Sequence, residues 1–249
     1  MAGDEAGHRV IYYISGSFFA WRVLIALYEK GLPVTERVLS LKDGELKSQN
    51  VVSVNPRGQS PTFIDADGTR VVHDSTALLL YLDEAYPNHP PVLPTMGGDK
   101  PARALALQRL QEANTLVDAI LPVFGSHIGR PPFKRVDVTT QAGKDVIRRY
   151  TVHLARELRY WDSTILRGTR FVLGEFSLVD AAVAPFIMTM AYMGADFKHL
   201  PNVARYAADV AERESVQRTW PPTWRKPARG IWAHVFRYVG ELTAPRAAL

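Results

Sequence analysis

The sequence predicts an α/β unit built on a small mixed sheet, followed by an all-helical unit. Three observations carry this. Residues 1–87 read strand–helix–strand and then strand–strand–helix. Residues 88–100 are crowded with breakers: Pro87-Asn88-His89-Pro90-Pro91, Pro94, Gly97-Gly98 and Pro101. Beyond them, residues 101–249 show mainly helical spacing. The expected division is 1–87, a linker at 88–100, and 101–249.

Val10-Ile11-Tyr12-Tyr13-Ile14 is β-branched and aromatic, so it reads as a strand that breaks at Ser15-Gly16-Ser17. From Phe19 to Lys30, Trp21, Leu24, Ile25, Leu27 and Tyr28 recur at helical spacing. Gly31 suits the C′ position and Pro33 prevents continuation. Thr35 to Leu41 reads as the next strand, parallel to the first through a right-handed crossover. Lys42 to Asn50 is polar and aperiodic, a loop with a short helical turn.

Asn55-Pro56-Arg57-Gly58-Gln59-Ser60-Pro61 is a polar turn that runs into the apolar strand Thr62-Phe63-Ile64. Proline has no N–H and belongs at the first residue or edge of a strand. On the heptapeptide alone Ser60-Pro61 is expected to be an ordinary trans bond. A cis bond would turn the Ser60 backbone outward, free to pair with an extended ligand. The flanking residues favour that second possibility. Asp65-Ala66-Asp67-Gly68 signals a hairpin, and Arg70 to His73 reads as its returning strand. Asp74 can cap a helix carrying Ala77, Leu78, Leu80, Tyr81 and Leu82. The first N–H groups of that helix form an anion site.

Helical periodicity then predicts Pro101 to about Phe124, Thr139 to about Leu166, Ser177 to Met193 and Val203 to about Glu212. Gly125 to Pro132 is a second breaker cluster. Ser177-Leu178-Val179-Asp180 has the spacing of a capping box, with Phe176 placed to staple onto the second turn.

With 249 residues, 47% of them apolar, the chain can bury a large core. There is no cysteine, which excludes disulfides, thiolate zinc sites and a cysteine nucleophile. Residues 1–8 lack the apolar stretch of a targeting segment, and the apolar run Ala181 to Met193 is too short to span a membrane. A cytoplasmic protein is expected. Net charge is +5, but no basic run reaches five residues, so nucleic acid is not an expected partner. Arg225, Lys226, Arg229 and Arg237 read as a solvated basic face. A Ser-His-Asp hydrolase would need His73 or His127 as partner and a Gly-x-Ser-x-Gly elbow, which Gly16-Ser17 followed by two phenylalanines is not.

Asn-Pro-x-x-Gln-x-Pro, two short strands, and then Asp-Ser opening a helix resembles the thioredoxin-like half of the cytosolic glutathione transferases. The resemblance extends over the whole chain, since the family's second domain is all-helical and has the Ser177–Asp180 type of cap. Ser17-Phe18-Phe19-Ala20-Trp21-Arg22-Val23 is similar to the serine motifs of the tau and rho classes, with Phe18 in place of their proline. Arg57-Gly58 and Trp220-Pro221-Pro222-Thr223-Trp224 are shared with rho-like sequences, which makes the rho class the closest match. The zeta-class Ser-Ser-Cys and the cysteine of omega-type relatives are missing.

The resemblance implies conjugation of glutathione to small hydrophobic electrophiles by a detoxifying homodimer, with no metal. It makes Ser17 the catalytic residue, stabilising the thiolate; Ser15, Tyr12 and Tyr13 are rivals. Gln59 and the Ser60 backbone would hold the cysteinyl and γ-glutamyl parts. Asp74 and Ser75 would hold the γ-glutamyl amine and carboxylate, and Lys47 would reach the glycine carboxylate. Phe18, Phe19, Leu116, Ile120, Phe124 and Trp220 are candidates for the electrophile pocket, although each also fits a core position. Lowering a thiol pKa by about two units from about 8.5 takes about 2.7 kcal/mol. A hydrogen bond to a charged group supplies about 1.5–3 kcal/mol and a helix N-terminus about 0.3–1 kcal/mol, so no general base is needed. Alternatives on the same fold are a non-catalytic ligand binder, a glutathione-dependent peroxidase using the same site, and an interaction protein.

Overall fold

The computed structural model describes residues 9–90, 93–94 and 98–245. Residues 1–8, where no targeting segment is expected, lie outside the described residues, as do Pro91 and Gly97 of the predicted linker.

Strand β1 (Val10–Ile14) is followed by helix α1 (Phe18–Glu29) and strand β2 (Thr35–Leu39). A 3-10 turn at Glu45–Lys47 and the short helix α2 (Gln49–Val52) lead to β3 (Thr62–Ile64), β4 (Val71–His73) and helix α3 (Ser75–Ala85). The sheet order is β2-β1-β3-β4. β1 and β2 are parallel, while β3 is antiparallel to both β1 and β4. This is a thioredoxin-like mixed sheet. β2 ends at Leu39 rather than Leu41, because Ser40 leaves the sheet: its N–H donates to Glu45 Oε2 at 2.6 Å. Leu41 is consequently 68% exposed.

The helical domain comprises α4 (Lys100–Ile128), α5 (Gln141–Tyr160), α6 (Leu178–Tyr192), α7 (Pro201–Ala211), α8 (Glu214–Thr219) and α9 (Val239–Thr243). A π-helical turn, Trp161–Ile165, extends α5. Helix α4 runs through Gly125, which the sequence places in a breaker cluster. The Phe133 ring occupies the space that a Cβ at Gly125 would need, so that glycine serves packing and not termination. Gly129, at φ 77°, ends the helix instead. The short α8, α9 and the 3-10 turns Pro222–Arg225 and Gly230–His234 have no periodicity long enough to be read from sequence. Among the described residues no helix is long and apolar enough to cross a membrane.

Helix α6 is buried continuously from Leu178 to Met190, as expected of a helix apolar on every side. Its start is the predicted capping box. Asp180 Oδ2 accepts the Ser177 N–H at 2.9 Å and the Ser177 hydroxyl at 3.0 Å, while Oδ1 accepts the Val172 N–H at 2.9 Å. Phe176 packs edge-on against Phe171, with centroids 5.3 Å apart. Burial pushes the Asp180 carboxyl up to about 6 despite these donors.

Ser177→Ala is expected to lower the unfolding free energy by about 1 kcal/mol, and Asp180→Ala, which strands two buried N–H groups, by about 3 kcal/mol; urea unfolding measures both. A carboxyl raised from 3.8 to about 6 binds its proton more tightly in the folded chain. Its contribution to stability therefore falls as pH rises across that interval. The difference between wild type and Asp180→Asn, followed against pH, should show that slope.

Candidate functional site

The sheet brings three chain segments to one end. Tyr12 pairs with Thr62, and Thr62 with His73. One register step further come Tyr13, Pro61 and Asp74, followed by the β1–α1 loop, Ser60 and the start of α3. The Ile14 N–H donates to Ser60 Oγ at 3.0 Å and ties the first two segments together.

At the β1–α1 loop, Ser17 is the N-cap of α1, and its hydroxyl accepts the Ala20 N–H at 3.4 Å. That bond is long, and the half-buried hydroxyl retains its own proton to donate. Gly16 has φ 81° and lies against Trp224, whose indole stands 3.4 Å from where a Cβ would be. Ser15 and Ser17 share a cavity of about 20 Å³, enough for one water, with Tyr13, Trp21, Thr219 and Pro221. Tyr13 donates its hydroxyl to Glu36 Oε2 at 2.5 Å, and burial beside that carboxylate pushes its pKa up. That hydroxyl is therefore already committed. His127 is far from a serine-hydrolase role: it is fully buried, and its Nε2 lies 2.9 Å from the Ile231 carbonyl.

The proline turn is held from inside by Asn55. Its Nδ2 donates to the Gln59 carbonyl at 3.1 Å and to Thr62 Oγ1 at 2.7 Å, and its Oδ1 accepts the Arg57 N–H at 3.1 Å. The Ser60–Pro61 peptide is cis, the alternative favoured by the flanking hairpin. The Ser60 N–H and C=O have no partner among the described residues, and the Gln59 side chain is exposed. Lys47 is also exposed, with Nζ donating to the Arg57 carbonyl at 2.7 Å.

At the start of α3, Asp74 Oδ1 accepts both the Thr76 N–H at 2.9 Å and the Ala77 N–H at 3.0 Å. Its other carboxylate oxygen is left for a cation. Asp74 sits at φ 91°, a backbone region that L-residues rarely occupy. Ser75 is the first residue of the helix and is buried. Behind them lies Arg22, fully buried on α1, whose Nη1 donates to Thr76 Oγ1 and Asn114 Oδ1, each at 3.1 Å. Burial pulls the Arg22 pKa down to about 10, against the opposing pull of Asp74.

The aromatic side of the site differs from the expected pocket. Leu116 and Ile120 are 0% and 1% exposed and sit in the core. Trp220 packs edge-on against Trp21, centroids 5.1 Å apart, between Thr219 and Pro221 of the cavity that Ser15 and Ser17 line. Phe18 is buried and meets Phe19 at 4.8 Å and Phe124 at 5.9 Å. Phe124 in turn meets Trp232 at 6.0 Å. Trp232, 40% exposed, is the open end of this series and was not singled out from sequence. It lies in a region without periodicity. Asn55 and Arg22 were also passed over, although each sits inside a quoted motif. Among the described residues no group of three His, Asp or Glu is placed to hold a metal.

This arrangement offers a backbone donor and acceptor, two helix N-termini, a hydroxyl and an exposed carboxylate along one sheet end. It suits an extended peptide-like ligand bearing an ammonium, a carboxylate and a nucleophilic anion.

Residues 11–90 match the family model described as glutathione S-transferase, N-terminal domain. The chain is 33% identical over 220 residues to glutathione S-transferase A of Pleuronectes platessa, covering 87% of this chain and 92% of that one. It is 27% identical over 220 residues to a stringent starvation protein A homolog of Pasteurella multocida, covering 88% of this chain and 92% of that one. Among solved structures, a glutathione S-transferase from the Antarctic clam Laternula elliptica superposes with TM-score 0.76 at 26% identity, covering 93% of this chain and 98% of that one. A glutathione transferase from Phanerochaete chrysosporium, solved with oxidized glutathione, superposes with TM-score 0.74 at 18% identity, covering 90% and 97%.

Asn55→Ala removes the three bonds that the Asn55 side chain makes within the proline turn. It is expected to lower the unfolding free energy by about 2–4 kcal/mol, since three hydrogen bonds at about 1 kcal/mol each are lost from a partly buried turn. Urea unfolding checks this.

Proposed function

The chain belongs to the glutathione transferase family, and on that premise we propose that it conjugates glutathione to small hydrophobic electrophiles. The observation that supports this best is the placing of a hydroxyl and a helix N-terminus at Ser17, on the same sheet end as the unpaired Ser60 backbone and the Asp74-Ser75 helix start. Ser17 would donate to the sulfur and hold it as thiolate. The α1 N-terminus would add its partial positive charge. The Ser60 N–H and C=O would pair with the cysteinyl backbone beside Gln59. Asp74 would meet the ammonium through the oxygen its cap bonds leave open. The Ser75 N–H and hydroxyl would take the carboxylate. Lys47 would reach the glycine carboxylate by turning from the Arg57 carbonyl. The thiolate then attacks an electrophilic carbon: a C–S bond forms, and the leaving group departs with its electron pair. Holding both reactants supplies the rest of the acceleration.

The serine-type motif and Trp220–Trp224 favour the rho class. In this reading residues 1–87 bind glutathione, 88–100 link, and 101–249 complete the acceptor side, through Phe19 and Phe124 in place of Leu116 and Ile120. A cytoplasmic homodimer acting in detoxification is the corresponding physiological form.

Thiolate absorbance near 240 nm, followed against pH with bound glutathione, tests the mechanism. Wild type should hold thiolate well below pH 8. Ser17→Ala should return the thiol toward about 8.5 and lower kcat/KM about 10- to 100-fold, the equivalent of one hydrogen bond to a charged group. Ser17→Thr, which retains a hydroxyl, should recover part of both. Unchanged turnover in Ser17→Ala would reduce that residue to a helix cap. Glutathione bound with an unshifted thiol would indicate a binder, and failure to bind it an interaction protein.

A further inference from the structure

We propose that the acceptor is an electrophile with an aromatic body and a negatively charged substituent, recognised by a cationic strap at residues 224–232. This rests on the transferase reading and names its second substrate. The strap is fastened to the site at both ends. Trp224 lies against Gly16, next to Ser17. Trp232 packs on Phe124, which meets Phe18, the residue that follows Ser17. His127 Nε2 holds the Ile231 carbonyl at 2.9 Å beside that second anchor. Arg225, Lys226 and Arg229, all exposed, lie on the segment between these two anchors.

The charge around them is unbalanced. From Ser215 to Gly240 there is no acidic residue. Residues 125–138 border the strap through the His127–Ile231 bond and carry Arg130, Lys134 and Arg135 against the single Asp137. The Asp137 carboxylate accepts the Thr139 N–H at 2.9 Å and hydroxyl at 2.7 Å on Oδ1 and forms no ion pair among the described residues. Segments 125–138 and 223–238 together hold seven Lys/Arg and one Asp, a net +6 against +5 for the whole chain, so the remainder nets −1. None of these seven cations takes part in an ion pair among the described residues. The basic face expected from sequence to be merely solvated is thus an uncompensated field beside an aromatic wall. Such a field raises the local concentration of anions, and the exposed Trp232 face supplies stacking for a ring. A neutral acceptor would use the wall alone.

The test compares 4-chloro-3,5-dinitrobenzoate with its uncharged amide at saturating glutathione, for wild type and the triple variant Arg225→Gln, Lys226→Gln, Arg229→Gln. The variant should lose about fivefold in kcat/KM for the benzoate and less than twofold for the amide. In wild type the benzoate-to-amide ratio should fall as ionic strength rises from about 0.02 to 0.2 M, since the Debye length shrinks below the reach of the strap. Equal changes for both acceptors, or none for either, overturn the proposal. The preformed glutathione conjugates of the two acceptors, bound by tryptophan fluorescence, decide the matter even if wild type turns over neither. The carboxylate conjugate must bind the variant more weakly by about the same factor, and the amide conjugate must not. Absent turnover alone would sink the transferase reading and leave this comparison intact. A variant that loses only its binding to phosphatidylserine vesicles would assign the strap to a membrane surface and refute the proposal.

Discussion

Helix α1 has almost no solvent face, and the rest of the molecule is arranged around that fact. Its residues from Phe18 to Leu27 are buried except Phe19, which is half-buried. One side packs on α3, and another meets α6 through Phe18 and Phe186, centroids 5.2 Å apart. Polar bonds then set its position. Trp21 Nε1 donates to Thr219 Oγ1 at 2.8 Å, and Glu29 receives Arg213 at 2.6 and 2.7 Å and the Ser215 hydroxyl at 2.6 Å. A helix end stabilises an anion only if its N–H groups keep one direction as the charge arrives. Burial on all sides supplies that rigidity. The charge inside, Arg22, is offset by contacts and not by burial: it lies 4.7 Å from the Phe186 ring centroid and donates to Thr76 on α3.

The site itself is made of element ends, where backbone groups are left over. Evolution has spent side chains on satisfying most of them and has left a few unpaired. Asn55 closes the inside of the proline turn, while the outward Ser60 groups stay open. Asp74 uses one oxygen for the α3 cap and adopts a strained backbone to do so. Strain and unpaired polar groups in one place are a mark of a binding surface, since a purely structural turn would be relieved of both.

Much of this was legible in the sequence because it depends on local chemistry. Gly31, Asp74 and Ser177 announce helix ends through backbone and cap rules that act over three or four residues. The Asp65–Gly68 hairpin does the same. The strand order follows once the β-α-β crossover and that hairpin are joined. The misreadings have one common cause, which is that burial is decided at long range. Gly125 looks like a breaker until Phe133 is seen to need its space. Leu116 and Ile120 have the apolar character of pocket residues, but only packing tells which apolar residues face a void. Trp232 belongs to a segment with no periodicity, and its place beside Phe124 is set by a contact more than a hundred residues away in sequence. The cations of the same segment looked unremarkable for that reason.

The bond between Trp21 and Thr219 spans 198 residues. The β1–α1 loop is synthesised well before the Trp220–Trp224 stretch that covers it. Contacts of such separation close late, because the loop entropy must be met before they contribute. The sheet and the start of α1 can therefore form on a nascent chain while one wall of the loop is still missing. In the finished protein Thr219, Trp220 and Trp224 are half-buried while Trp21 beneath them is buried, so the outer layer of this wall is the less enclosed part. Order at the start of α1 is thus completed only when a segment beyond the main helices of the second domain has been added.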